Sequence, residues 1–231
     1  MGKHGVPAHT PVQRRLAAIL AGDVVGYSRL MGRDEEGALR RLRELQAVIS
    51  SIIEAGGGRI VNTAGDAMLL EFSSTVAALD SALAIQEVVG LLNLGAPDDD
   101  KMLLRIGVNV GEVILEGGDV FGEVVNIASR LEAIAEPGGV CVSQAAYLQC
   151  RRMFALDFSD LGELRLKNIA EPVRAYAIAA VPNPTGGRVA SAKVLPWPGG
   201  GSANPQASQL EPIASSDVRA CPTGGAIASC Q

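Results

Sequence analysis

An amide and a guanidinium, Asn126 and Arg130, are four residues apart near the middle of the chain. Residues at this spacing share one face of a helix. Together they can bind the oxygens of a ribose and a phosphate, because Arg presents a fixed fork of donors that stays charged. A solvated polar face has the same composition, so the pair alone leaves both interpretations open. Asp119, seven residues before Asn126, adds a third polar side chain to this stretch.

Two carboxylates form a second group. Asp23 lies near the end of an apolar run that predicts a buried strand over residues 16–25, and Asp66 lies at the turn between two strands predicted over 59–72. Burial of a carboxylate is costly unless it is paired or binds a metal. If adjacent strands bring the two together they repel each other, and Mg²⁺ resolves that conflict because it takes hard oxygen ligands. A helix cap or an ordinary turn is the alternative for each residue.

The segments that follow position these groups. Gly26, Tyr27 and Ser28 make a small turn whose backbone N–H groups can surround phosphate oxygens where the next helix begins. Apolar residues at helical spacing predict helices from residue 34 to the glycines at 56–58 and again over 74–92.

The chain from residue 103 onward leads into the polar stretch. Alternation predicts a strand over 103–115, in which Gly107 and Gly111 indicate a twisted hairpin or a bulge. Ile127, Leu131 and Ile134 recur at helical spacing, which predicts that this stripe faces the core.

Shorter elements follow as far as residue 179. The patterns predict a strand over 140–142, a helix over 144–151 and further strands over 157–179. Lys167 lies in this last part, where a single cation can reach a polyphosphate. An exposed surface lysine is the alternative.

Composition limits the class of protein. The 231 residues are 48% hydrophobic and 19% charged, which suits one domain with trailing segments. A net charge of −5 argues against a nucleic-acid polymer as partner, whereas a single nucleotide needs only a few local cations. The four cysteines form no CxxC pair, which favours reduced thiols in the cytoplasm. We expect no membrane span, because no apolar run approaches about 18 residues.

The two ends of the chain differ from its middle. Residues 1–13 and 182–231 are rich in small residues and proline and lack periodicity, which predicts a disordered leader and tail. One folded domain is predicted between them, over 14–181.

The stretch GDVFGEVVNIASRLE, residues 118–132, resembles the purine- and transition-state-binding segment of the class III nucleotide cyclase catalytic domain, the adenylate/guanylate cyclase family. The resemblance extends over residues 16–180. It implies an α+β fold with a ferredoxin-like βαββαβ core. It also implies two divalent cations per site, Mg²⁺ or Mn²⁺, held at Asp23, Val24 and Asp66.

The same resemblance implies the residues that bind substrate. The backbone of residues 26–28 would cradle the triphosphate. The side chains would divide the remaining roles, with the purine read by Asp119, the ribose oriented by Asn126, the pentacovalent phosphate stabilised by Arg130 and the terminal phosphates bound by Lys167.

One position departs from the family pattern. The family's adenine-reading lysine falls four residues before Asp66, where this chain has Asn62. An amide both donates and accepts, so Asn62 with Asp119 can still match the adenine edge. Guanylate cyclases have a Glu and a Cys at these two positions. This chain has neither, so the resemblance favours ATP as the substrate.

The implied reaction is attack of the ribose 3′-oxygen on the α-phosphorus of ATP, giving 3′,5′-cyclic AMP and pyrophosphate for intracellular signalling. Family domains pair head to tail, which implies a homodimer whose sites take the metal carboxylates from one chain and Asn126 and Arg130 from the other. A non-catalytic nucleotide-binding regulator and a cyclase of relaxed or guanine specificity stay open. A dinucleotide-producing cyclase should show a GG[DE][DE]F-like turn, which residues 64–67 lack.

Overall fold

The computed structural model describes residues 13–179. The strands are β1 Gln13–Val24, β2 Gly58–Ala64, β3 Ala67–Phe72, β4 Leu104–Glu116, β5 Asp119–Phe121, β6 Val140–Ser143, β7 Ser159–Leu164 and β8 Val173–Ile178. The helices are α1 Tyr27–Arg33, α2 Glu35–Ala55, α3 Thr75–Leu92, α4 Glu123–Ile134 and α5 Gln144–Cys150. The predicted disordered leader and tail lie outside the described residues, except Gln13, which begins β1.

One sheet runs through the domain in the order β2-β3-β1-β4-β6-β8-β7, and β5 pairs with β4. β1 pairs antiparallel with β3 on one side and with β4 on the other. Helices α1 and α2 connect β1 to β2, and α3 connects β3 to β4. The order β2-β3-β1-β4 is that of a ferredoxin-like βαββαβ core, so the predicted α+β fold is confirmed.

The central strand β1 is buried on both faces, as its continuous apolar run predicts. Ala18 and Leu20 pack with the side chains of α2 and α3 on one face. Ala17 and Ile19 pack under α4 on the other face. Asp23, near the end of this strand, lies on the face of Ala17 and Ile19 and is partly buried.

Helix α4 approaches β4 closely because two glycines leave room for it. A Cβ on Gly107 would lie 2.2 Å from the carbonyl oxygen of Ala128, and a Cβ on Gly111 would lie 2.4 Å from Cγ2 of Val124. Strand β4 continues through both glycines without a break. The prediction of a hairpin or bulge at these positions is wrong, since the glycines admit a helix and do not bend the strand.

The buried side of α4 also differs from the predicted stripe. Val124, Ala128 and Leu131 are buried, whereas Ile134 is 42% exposed. The helix turns its small residue, Ala128, toward Gly107, because that contact allows the closest approach of helix and strand. Ile134 is rotated away from the sheet, so its prediction as a core residue is wrong.

Helix α3 has 18 residues with a mean hydropathy of 1.5. By length and composition it is the one helix within residues 13–179 that could cross a membrane. Here Ala78, Leu79 and Ile85 are buried in the main core cluster. The helix therefore packs as a core element of the domain.

Two cysteines lie in the described part of the chain, Cys141 and Cys150, and both are free and buried. Burial raises the pKa of the Cys141 thiol to about 12 and that of Cys150 to about 11. Both thiols stay protonated at neutral pH, and so they pack as small apolar side chains.

Candidate active site

The structure brings Asp23 and Asp66 together. Asp23 lies near the end of β1, and the turn between β2 and β3 carries Asp66 beside it. The two carboxyl groups lie close enough to interact directly, and the backbone at Val24 also interacts with Asp66. Burial, followed by the interaction with the carboxyl group of Asp23, raises the pKa of Asp66. The turn itself is fixed by Gln46, whose Nε2 donates to the carbonyl of Gly65 at 3.2 Å.

Two carboxylates in contact are a fit for a divalent cation. The negative charge of Asp23 disfavours ionisation of Asp66, and a cation with oxygen ligands relieves that repulsion. Only 25% of the Asp23 side chain is exposed, so water screens the pair incompletely. No group of three or more His, Cys, Asp or Glu suited to a metal occurs within residues 13–179. The two Asp side chains supply hard oxygen donors for Mg²⁺ or Mn²⁺ at this position.

A cation that sequence reasoning missed lies beside them. Arg105 is the cross-strand partner of Asp23 in the β1–β4 register, and its Nη2 donates to Oδ2 of Asp23 at 2.9 Å. Its Nε lies 3.5 Å from Oε1 of Glu132 on α4. The available signal was an arginine between the apolar residues Leu104 and Ile106 of β4, since a charge at such a position needs a partner.

The carboxyl group of Glu132 reports the electrostatics of this region. Burial raises its pKa from 4.5 to about 7, and the negative charges of Asp23 and Asp66 add to that effect. The guanidinium of Arg105 acts in the opposite direction. The raised pKa values of Asp66 and Glu132 show that negative charge is unfavourable here despite Arg105, and a bound cation would relieve that cost.

Helix α4 presents the amide and the guanidinium. Asn126 is exposed, and Arg130 is half-buried. Nε of Arg130 donates to the backbone carbonyl of Lys167 at 3.2 Å, which joins α4 to the connection between β7 and β8. The Lys167 side chain is exposed. The structure therefore brings the segments that carry Arg130 and Lys167 together.

Asn62 faces the same side of the sheet as Asp23 because of an irregularity in β2. Ile60 pairs with Leu70 but Asn62 pairs with Leu69, so one residue of β2 is extra. Such a bulge changes which face the following residue uses. Leu69 in turn pairs with Ala21, two residues before Asp23. Asn62 is exposed on this face.

Asp119 is exposed at the start of β5, next to the turn that joins β5 to β4. That turn has Gly117 at φ 62° and Gly118 at φ 92°, conformations that favour glycine. Nη1 of Arg59 in β2 donates to the carbonyl of Gly118 at 2.9 Å. Because β3 and β1 separate β2 from β4 in the sheet, this bond shows that the turn curls back over the face that carries Asn62.

Gly26, Tyr27 and Ser28 lie at the start of α1. Gly26 has φ 66° and precedes the first helical residue, and its carbonyl accepts from the backbone N–H of Arg29 at 2.9 Å. Tyr27 is partly buried against the core, whereas Ser28 is exposed. The sequence predicted a turn here, and the structure adds the short helix α1 before α2. A role of these backbone amides in binding phosphate stays a prediction.

The two pairs of candidate residues, Asp23 with Asp66 and Asn126 with Arg130, are not bonded to each other within one chain. Within residues 13–179, no hydrogen bond or ion pair joins Asp23 or Asp66 to Asn126 or Arg130. Cavities of about 220 and 190 Å³ occur in the described part of the chain, and none of these four residues lines either of them. Both volumes are below the roughly 300–1,000 Å³ of typical ligand pockets.

Comparison with known proteins defines the class. Residues 12–180 match the family described as the adenylate and guanylate cyclase catalytic domain, and the chain belongs to this family. A solved structure described as an adenylate/guanylate cyclase/hydrolase from Silicibacter pomeroyi is 43% identical. It covers 73% of this chain and 98% of its own, with a TM-score of 0.69.

The curated relatives are longer proteins. A putative adenylate cyclase 3 from Rhizobium meliloti is 38% identical over 82% of this chain and 35% of its own length. An adenylate cyclase from Streptomyces coelicolor is 39% identical over 58% of this chain and 34% of its own. The chain thus spans about a third of the length of these relatives. The structure of the adenylyl cyclase CyaB from P. aeruginosa, at 22% identity and a TM-score of 0.67, has the same fold.

Proposed function

We propose that this domain converts ATP into 3′,5′-cyclic AMP and pyrophosphate, as an intracellular signalling enzyme of the cytoplasm. The contact between Asp23 and Asp66 at the end of the central strand carries the proposal, because it prepares a site for divalent cations. Relatives named adenylate cyclase support ATP as the nucleotide.

The reaction needs no nucleophile from the protein. The ribose 3′-oxygen forms a bond to the α-phosphorus, the bond from that phosphorus to the bridging oxygen breaks, and pyrophosphate leaves. The 3′-hydroxyl proton passes to solvent. Two Mg²⁺ or Mn²⁺ ions held by Asp23, Asp66 and the Val24 backbone would lower the 3′-hydroxyl pKa and neutralise the leaving group. The remaining catalysis is positioning and charge stabilisation.

The other residues supply that positioning. Asn126 orients the ribose and Arg130 stabilises the charge that develops on the α-phosphate. Arg130 suits this task because its Nε bond to the Lys167 carbonyl leaves the rest of the fork free and limits its rotamers. Lys167 binds the terminal phosphates, and the amides of Gly26, Tyr27 and Ser28 surround the triphosphate. Asn62 and Asp119 read the adenine edge.

A site shared between two copies of the chain would bring these two pairs of residues to one nucleotide. We propose a head-to-tail homodimer in which Asp23 and Asp66 of one copy act with Asn126 and Arg130 of the other. Asn126 is exposed on α4 and is therefore available to a second copy. The domain is proposed as residues 14–181, close to the 12–180 that match the family.

The test is nucleotide turnover by the purified chain, with ATP and GTP each supplied with Mg²⁺ or Mn²⁺. We expect cyclic AMP as the main product. The preference for ATP should be modest, because the neutral Asn62 stands where the family has an adenine-reading lysine. Equal or faster turnover of GTP would contradict the assignment of substrate. Nucleotide binding without any cyclic product would instead indicate a regulatory domain. Asp66→Asn is the control, since it should abolish metal-dependent turnover.

A further inference from the structure

A buried carboxylate that the proposed reaction does not use lies in β3. Glu71 is only 2% exposed, and a buried charge is costly unless it is paired. Two guanidinium groups pair with it, Nη2 of Arg15 to Oε1 and Nε of Arg59 to Oε2, each at 2.6 Å. The two arginines come from the strands on either side, β1 and β2.

The two arginines differ in what else they bind. Nη1 of Arg59 also donates to the carbonyl of Gly118, at 2.9 Å. Arg15 has Glu71 as its ion-pair partner and forms no hydrogen bond to the β4–β5 turn within the described residues. Because the guanidinium is planar, a donor fixed on Glu71 fixes the direction of the other. Glu71 therefore orients Arg59, and Arg59 holds the turn.

That turn is a two-residue connection between the paired strands β4 and β5, and the bond from Arg59 constrains it from outside the hairpin. Gly117 and Gly118 both have positive φ, and glycine loses more backbone entropy on ordering than other residues. Asp119 follows directly. Asn62 lies three residues after Arg59 on the same strand, and the bulge in β2 places it on the same face as Glu71. A single side chain thus connects the strand of Asn62 to the turn of Asp119.

We propose that Arg59, oriented by the buried carboxylate of Glu71, is a positioning residue that sets the distance between Asn62 and Asp119 and so determines purine recognition. This inference rests on the proposed function. Within residues 13–179, Arg59 forms no hydrogen bond or ion pair with Asp23, Asp66, Asn126 or Arg130. Its loss should weaken recognition of the base and leave the chemical step largely intact.

The chain offers a matched pair of variants. Arg59→Met and Arg15→Met each remove one guanidinium from Glu71 and keep an apolar chain of similar length, but only Arg59→Met frees the turn. Binding of 3′-deoxy-ATP and 3′-deoxy-GTP, which lack the attacking hydroxyl, is measured by calorimetry with Mg²⁺. We expect Arg59→Met to weaken 3′-deoxy-ATP about tenfold, the usual effect of one charge-assisted hydrogen bond, and to reduce the preference over 3′-deoxy-GTP. Arg15→Met should change the affinity for 3′-deoxy-ATP and the preference over 3′-deoxy-GTP by less than about twofold each.

Two further measurements separate positioning from a general loss of structure. Hydrogen exchange of backbone amides 117–121 should accelerate at least about fivefold in Arg59→Met and stay near wild type in Arg15→Met. In turnover, Arg59→Met should raise KM for ATP while kcat falls less than about threefold. If Arg59→Met does not fold, Arg59→Lys keeps a cation beside Glu71 without the second fixed donor and takes its place.

The outcomes for the inference and for the function are distinct. Equal nucleotide affinity and equal exchange in the two Met variants would overturn the role of Arg59, even if the wild-type chain forms cyclic AMP. A wild-type chain that forms no cyclic nucleotide would refute the proposed function, while binding and exchange would still decide the role of Arg59.

Discussion

Replacement of Gly107 by alanine tests how the fold positions the candidate active site. The added Cβ would lie 2.2 Å from the carbonyl oxygen of Ala128 and 2.3 Å from the backbone nitrogen of Glu132. Both atoms belong to the backbone of α4, so a rotamer change cannot remove the clash. The helix must move away from β4, and it carries Asn126 and Arg130 with it.

The loss of stability in Gly107→Ala depends on which atoms the added Cβ clashes with. Overpacking of a core by one methyl group costs about 1–3 kcal/mol where side chains adjust. Here two backbone atoms of a helix must shift, so we expect the upper end, about 3 kcal/mol. For a domain of this size that corresponds to a fall of roughly 6–12 °C in Tm. Because Arg130 moves, kcat should fall as well.

Gly90→Ala is the control. Gly90 is exposed within α3, and a Cβ there meets no atom within 4 Å. Alanine should therefore stabilise the helix by about 0.5–1 kcal/mol. Urea unfolding of both variants measures the two effects, which have opposite signs. A Gly107→Ala variant as stable as wild type would refute the close packing of α4 on β4 and the explanation of the glycine.

Four further predictions concern the site. Arg130→Ala should lower kcat by roughly 10²-fold or more with little change in KM, because the contact of Arg130 with the phosphate strengthens in the transition state. Steady-state kinetics measure both constants. A near-normal kcat would mean that Arg130 is an ordinary surface residue. Asn62→Lys should raise the ratio of kcat/KM for ATP over GTP, and an unchanged ratio would place this side chain away from the base. An equimolar mixture of Asp66→Asn and Arg130→Ala chains should regain roughly a quarter of wild-type activity, since half the dimers are mixed and each has one intact site; no gain after confirmed subunit exchange would mean that each chain builds its own site. The pKa of Glu132 is raised from 4.5 to about 7. Between these two pH values, and without metal, the folded state holds a proton that the unfolded state has released. The free energy of unfolding should therefore fall as pH rises from 4.5 to about 7, by at most about 3 kcal/mol. Glu132→Gln should flatten this profile in urea unfolding with EDTA, and an unaltered slope would contradict the shift.

Local pattern in the sequence was sufficient for the class of protein and for most elements. The apolar run around Asp23 is nearly continuous, which is the pattern of a strand buried on both faces. The burial of β1 could therefore be predicted from its residues alone. The string over 118–132 likewise identifies the family, since the types and spacing of Asp119, Asn126 and Arg130 are set within one short segment. Helical spacing located α2 and α3 for the same reason.

Contacts between distant segments were decided only by the tertiary structure. Period alone leaves the buried face of α4 ambiguous, because both Ile134 and Ala128 recur with Leu131 at helical spacing; the glycines of β4 settle it by admitting the smaller residue. The partner of Asp23, Arg105, is 82 residues away in the chain, and no local pattern encodes a pairing across strands.

The face of the sheet on which Asn62 lies was also decided by the tertiary structure. Strict alternation along β2 would place it on the face of Ile60, but one extra residue moves it to the face of Leu69 and Asp23. Nothing in the order of residues marks that bulge, because it arises from how β2 pairs with β3 and not from β2 itself. The sequence by itself therefore determined which side chains this protein has for its chemistry, and the pairing of the strands decided where they meet.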